Sequence, residues 1–251
     1  MKKILALVRT DLTNLRREAF TIYLASLSVV IVFLVRFLAP ILNDMLTKNG
    51  VSILTYYPMI ISSLYFIETP MMFGIIIGFF LLDEREERSL ISLRVTPLKM
   101  STFLTYRFGL AMVTSFVVTS IGSIIAETYS AGSAQYHNAG VYLLILFSVL
   151  SSLSIPLMIM FIVTFANNKI EGMAVVKAVM TLMLSPVVAF FLKGTYWEWF
   201  FAVIPTFWTQ KAFWLIQDGQ MSKIMLYLDF SIVYNILLIM ILFRRFRNRL
   251  Y

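Results

Sequence analysis

The run Asp83-Glu84-Arg85-Glu86-Glu87-Arg88 is a dense knot of both charge signs in a 251-residue chain that is only 14% charged. Nine of the twelve residues from Asp83 to Arg94 are charged or hydroxylated, yet "MMFGIIIGFFLL" precedes them and "FGLAMVTSFVVTSIGSIIA" soon follows. Such a knot is either a well-made loop or a knob that docks into a complementary groove on a partner. Elsewhere ionisable groups are sparse. Arg36, Glu68 and Asp229 fall inside apolar stretches, where such residues are functional candidates by default. The bland reading is that they pair or snorkel. No paired carboxylate and no histidine cluster is placed there to activate water, so an intramembrane hydrolase is disfavoured. The one histidine, His137, sits in a polar loop beside Asn138 and reads as solvated. There is no cysteine, hence no disulfide and no thiolate metal site.

The elements that position these groups are apolar. The chain is 60% hydrophobic with a mean hydropathy of +0.85, against about 45–50% apolar in soluble domains. An all-α polytopic membrane protein follows. A spanning helix needs roughly 20 apolar residues, and six segments qualify: Ala19–Leu42, Tyr56–Leu82, Ser101–Ala126, Ala139–Ala166, Met173–Leu192 and Ile224–Phe243. The first lacks a small-residue cleavage site and is expected to stay as an uncleaved anchor.

Lys and Arg set the orientation. With a cytoplasmic N-terminus, sixteen of them fall inside and four, Lys48, Lys193, Lys211 and Lys223, fall outside. Both termini and Asp83–Met100 are therefore expected in the cytoplasm. The formal charge of +8 is explained by orientation without nucleic acid. Residues 1–18 place Ile4, Leu5, Val8, Leu12 and Leu15 on one helical face and basic residues elsewhere, which predicts a helix lying in the membrane plane.

The stretch Thr195–Gln217 is apolar but is not read as a seventh span, because that would put Arg244–Arg249 outside. Pro205 breaks it, and it holds all four tryptophans, Trp197, Trp199, Trp208 and Trp214, a residue type that favours the lipid–water interface. The spacing predicts two short re-entrant helices on the outer side. They are read as a gate, with Pro205, Phe207 and the tryptophans at the exit, or as a lipid anchor.

Within the knot, Asp83, Glu84, Glu86 and Glu87 are placed at the start of a short helix, where the macrodipole favours anions. Glu84 and Arg88 are spaced for an i,i+4 pair, Leu90, Leu93 and Ile91 form an apolar patch, and Thr96-Pro97 ends one helix and starts another. "EREERSLISLRVTP" followed by "FLTYRFG" resembles the cytoplasmic segment of ABC-2 type permeases, the membrane subunits of type V ABC exporters. The matching features are Glu84/Glu86, Ser89-Leu90, Leu93 and Thr96-Pro97; where the family often has glycine, this chain has Arg88. The in-plane N-terminal helix, six spans and re-entrant helices extend the likeness over nearly the whole chain.

The resemblance implies one ABC-2 transmembrane domain over residues 1–251 in a bacterial cell membrane. It makes Asp83–Met100 a coupling helix seated on a separate ATP-binding subunit. Two such subunits would bind ATP and Mg and join two permease copies, as a homodimer or with a related permease. This agrees with the absence of a G-x-x-x-x-G-K-[ST] loop. Similar small exporters carry drugs or amphipathic peptides such as phenol-soluble modulins; the aromatic outer segment and the absence of a large soluble domain suit an amphipathic or apolar cargo, read here as peptides, with hydrophobic drugs close behind. A proton- or ion-coupled secondary transporter using Glu68 and Asp229 is the alternative, though no pair of interrupted spans in matching halves supports it. A non-transporting scaffold is a further reading. Gly74-x-x-x-Gly78 is expected to serve packing inside one chain, and Pro70, Pro156 and Pro186 are expected to kink their spans.

Overall fold

The computed structural model describes residues 19–48, 50, 52–87, 100–129 and 140–250. The in-plane helix, His137, Asn138, and Arg88, Leu90, Ile91, Leu93, Thr96 and Pro97 lie outside the described residues. The described residues are mostly helical, joined by short turns, without a strand among them. Among the described residues, six helical stretches are long and apolar enough to cross a membrane: Ile22–Thr47, Tyr57–Glu86, Thr102–Ala126, Val141–Phe165, Lys169–Phe190 and Ser222–Phe246. The fold is that of an all-α polytopic membrane protein.

The first stretch is α1 (Ala19–Thr47). Its buried positions, Leu24, Ser28, Ile31, Val32 and Val35, recur at helical spacing, while Ile22, Phe33 and Phe37 face outward.

The second is compound: α2 (Tyr57–Ser63), a π-turn over Leu64–Glu68, and α3 (Thr69–Glu86). Pro70 explains the π-turn. It offers no N–H to the carbonyl four residues back and its ring crowds the preceding turn, so one extra residue is accommodated there. The Thr69 N–H and Oγ1 both donate to Leu64 O, the latter at 2.9 Å.

α4 (Met100–Tyr129) is the third span. The fourth divides at Leu153 into α5 (Val141–Ser152) and α6 (Ser154–Phe165), three residues before Pro156. α7 (Lys169–Leu184) passes at Pro186 into a 3₁₀ turn over Ser185–Phe190. A local irregularity of the helix lies at or within a few residues of each of these three prolines.

A 3₁₀ helix over Tyr196–Val203 and α8 (Pro205–Gln217) follow, and α9 (Met221–Leu250) is the last span. The chain turns extended at Ile204 (φ −94°, ψ 127°), as the residue before proline favours.

The six spans are not equivalent. Within an 18-residue apolar window of each, 83% of the residues are buried in Tyr57–Glu86 and 72% in Val141–Phe165, against 22% to 33% in the other four. The second and fourth spans are thus the axis of the bundle. Glycine permits their contact: a Cβ on Gly74 would stand 2.9 Å from Met158 Cβ, and one on Gly78 would stand 2.8 Å from Ile162 Cδ1. The glycine pair packs within the chain, as expected. Gly172 of α7 continues the seam, with Leu82 and Phe79 within 2.7 and 2.8 Å of its added Cβ.

Two ends are distinct. At the charged end, the close of α3, the start of α4 and the link between α6 and α7 meet. At the aromatic end, Tyr57 donates to Ala126 O at 3.1 Å, and Tyr56 packs on Phe190 and Phe191.

Candidate functional site

The charged end is built from the close of α3. Asp83, Glu84 and Glu86 lie in its last turn, with Glu87 as its C-cap. This corrects the expectation that they begin a helix. No glycine or proline interrupts "FFLLDERE", so the second span runs on through the charges.

Acids at a helix C-terminus face an unfavourable macrodipole, and the neighbours compensate. Lys169 Nζ sits 2.9 Å from Asp83 Oδ2. The Lys169 backbone N–H, first in α7, donates to Glu86 Oε1 at 2.7 Å, so the acids of α3 occupy the positive end of α7. The N-cap Asn168 accepts from Glu171 N at 2.8 Å, and Glu171 accepts from Asn167 N at 2.8 Å, a reciprocal capping arrangement. Glu84 pairs with Arg107 of α4. Arg107 is buried, and its guanidinium lies over Phe103 (5.1 Å) and Phe80 (5.6 Å). Arg85 follows Gly74 and Gly78 along one face of α3. It donates to Val163 O at 3.0 Å and to Ala166 O, satisfying the last carbonyls of α6. Four consecutive side chains thus tie the root of the 88–99 segment to three other helices.

Sequence reasoning named Glu84 and Glu86 but missed Arg85, Arg107 and Lys169. Arg107 carried a signal: it stands two turns inside a span, where a cation requires a partner.

At the aromatic end, the two flanks of the stretch 195–217 meet. Lys193 Nζ is 3.3 Å from Asp218 Oδ2, and also lies 4.5 Å from the Phe190 ring centroid. The two short helices were expected. Their side chains divide in a way the tryptophan count concealed. Tyr196 and Trp197 are 96% and 73% exposed, and Trp199 is exposed too, whereas Phe207 and Trp214 are wholly buried and Trp208 is half-buried.

α8 is bolted to its surroundings. Trp214 Nε1 donates to Ser62 Oγ (2.9 Å), Thr206 Oγ1 to Met183 O (2.6 Å) and Trp208 Nε1 to Ala202 O (3.0 Å), while the Thr209 and Ser231 hydroxyls meet at 2.7 Å. The only two charges within 195–217, Glu198 and Lys211, pair with each other. Buried Glu198 also accepts from Gly194 N at 3.1 Å. That pair was missed, though two lone opposite charges in an apolar segment signalled it.

Beside this pair lies a recess of about 520 Å³, bordered by Trp199, Tyr227, Lys193, Lys211 and Lys223.

The intramembrane candidates are separated by environment. Glu68 is half-buried at the end of the π-turn, Arg36 is half-buried on α1, and Asp229 is exposed on α9. Among the described residues, neither Glu68 nor Asp229 forms an ion pair.

Comparison with known proteins adds the family. The family described as "Fluoroquinolones export permease protein Rv2686c-like" matches residues 11–243. Two proteins of Mycobacterium tuberculosis are each 30% identical over 250 residues, covering 99% of this chain and 95% of their own length. They are the fluoroquinolones export permease protein MT2760 of strain CDC 1551/Oshkosh and the fluoroquinolones export permease protein Rv2686c of strain H37Rv. No solved structure matches. With the match spanning all six membrane-length stretches almost end to end, the chain belongs to the Rv2686c-like fluoroquinolones export permease family.

Proposed function

We propose that this chain is the membrane-spanning subunit of an ATP-driven drug exporter in a bacterial cell membrane. It moves hydrophobic or amphipathic drugs of the fluoroquinolone kind outward. Both termini and the charged end face the cytoplasm, by the sixteen-to-four bias of Lys and Arg. The drug cargo is taken from the names of the relatives; they favour it over the amphipathic peptide preferred in the sequence reading. ATP and Mg belong to a separate subunit, two copies of which join two copies of this chain as a homodimer of type V architecture.

The observation that carries the coupling is the set of contacts at the root of residues 88–99. α3 closes the most enclosed span, and its end is tied to α4, α6 and α7 through Glu84–Arg107, Arg85–Val163, Asp83–Lys169 and Glu86–Lys169. A displacement of the coupling segment is therefore delivered to the axis of the bundle. Because Glu84 and Glu86 are engaged inside the chain, docking rests on the segment beyond them, with Leu90 and Leu93 as the apolar contacts and Arg88, Thr96 and Pro97 shaping it. At the opposite end the gate is the exposed Tyr196–Val203 helix, with Trp197 and Trp199. Pro205, Phe207, Trp208 and Trp214 hold its foundation.

Leu93→Asp tests the docking. Burying one leucine is worth about 1.5–3 kcal/mol, so the variant is expected to insert normally, to lose co-purification of the ATP-binding subunit by tenfold or more, and to stop export. Normal ATP-driven export in that variant would show that the segment is only a loop.

A further inference from the structure

We propose that the recess between the Tyr196–Val203 helix, α8 and the start of α9 binds an anionic group carried on an aromatic or apolar body. Its size suits a small molecule: about 520 Å³, where ligand sites occupy roughly 300–1,000 Å³.

The charges on its wall do not cancel. Two carboxylates and three ammonium groups border it, and each carboxylate has its own lysine: Glu198 holds Lys211, and Asp218 holds Lys193. Lys223 is exposed and forms no ion pair among the described residues. Glu198 cannot turn toward Lys223, because burial and two donors, Lys211 and the Gly194 N–H, hold it. Lys193 lies between Asp218, 3.3 Å away, and the Phe190 ring. One positive charge on the wall of the cavity is left without a partner among the described residues, so an anion is attracted and a cation is repelled.

The wall beside it is aromatic. Trp199 and Tyr227 stack with centroids 6.5 Å apart and planes 22° apart, and Tyr196 stands at the rim, 96% exposed. Flat aromatic surface next to an unpaired ammonium fits a planar carboxylate. The same chemistry fits the phosphate of a lipid headgroup with its chains against the aromatic wall. The site belongs to the chain alone and does not depend on whether the chain exports drugs.

All four tryptophans lie within 197–214, so intrinsic fluorescence reports on this end of the molecule. The purified chain, in nanodiscs of neutral phosphatidylcholine, is titrated with 4-bromobenzoate, whose bromine quenches indole on contact. 4-Bromobenzylammonium is the control of opposite charge. Saturable quenching by the carboxylate and not by the ammonium is expected. Lys223→Gln should weaken it about tenfold, as expected for loss of a charged hydrogen bond. Lys223→Arg should retain it, and Lys48→Gln, at another exposed lysine, should leave it unchanged. Because Lys223 is exposed and forms no ion pair among the described residues, its variants should keep the wild-type melting temperature. Adding phosphatidylglycerol to the nanodiscs identifies the source: competition with 4-bromobenzoate assigns the recess to lipid headgroups, and indifference assigns it to soluble carboxylates. Equal quenching by both probes, or unchanged affinity in Lys223→Gln, would overturn the proposal.

Discussion

Arg107 and Glu84 decide how firmly the charged end is held. The guanidinium is buried, sandwiched by Phe80 and Phe103, with Glu84 as its carboxylate partner. Removing one member of a buried pair leaves the other uncompensated and costs about 3–5 kcal/mol; the partial exposure of Glu84 argues for the lower end. Arg107→Ala is expected to destabilise the chain by about 3 kcal/mol in mixed-micelle unfolding, with little response to salt because the pair is shielded. A loss below about 0.5 kcal/mol would class it with exposed pairs. Trp214→Phe is expected to cost about 1 kcal/mol, the value of the hydrogen bond to Ser62, and to leave the exposed Trp197 and Trp199 unaffected. These roles were only partly legible in the sequence. Glu84 stood out by its charge. Its partner lies twenty-three positions later on another helix, and sequence spacing cannot show which helices meet. The burial of Trp214 was hidden for a similar reason. A tryptophan reads as interfacial from its chemistry, while its depth is set by the helix that carries it and by the Ser62 hydroxyl that receives its N–H.

At the scale of elements, the glycines of α3 separate packing from propensity. Gly78→Val would push two methyls into Ile162, already within 2.8 Å of an added Cβ, and should destabilise the chain by about 1–3 kcal/mol through overpacking. Gly109, on α4, has nothing within 4 Å of its added Cβ. Gly109→Ala should therefore be neutral or stabilising by up to about 1 kcal/mol, the helix penalty of glycine. Melting of both variants in one detergent checks the pair, and equal effects would contradict the assigned packing. The breaks in the spans were legible, because proline acts locally: Pro70, Pro156, Pro186 and Pro205 each mark an irregularity within a few residues. The end of α3 was not. A cluster of charge after an apolar run resembles a loop, yet with no breaker in Asp83–Glu86 and with cations waiting on α4 and α7, the helix carries on to Glu86.

For the whole molecule, burial separates a central pair of spans from four outer ones, and charge separates one end from the other. Hydropathy made the six spans visible, while their ranking by burial depends on contacts that hydropathy does not encode. The absence of cysteine makes the orientation directly measurable. Glu87→Cys and Tyr196→Cys, both at exposed positions, should react with an impermeant maleimide from opposite faces, the first only after permeabilisation; labelling of both from outside would reject the six-span arrangement. The central claim is ATP-driven drug export, and everted vesicles test it most directly. Vesicles containing this chain and the proposed ATP-binding subunit are given a fluorescent fluoroquinolone, with ATP supplied or withheld and a protonophore present throughout. Accumulation that requires ATP, survives the protonophore and disappears with Leu93→Asp is the expected result. Accumulation that is abolished by the protonophore, or that proceeds without the ATP-binding subunit, would contradict the account and return Glu68 and Asp229 to the centre of the mechanism.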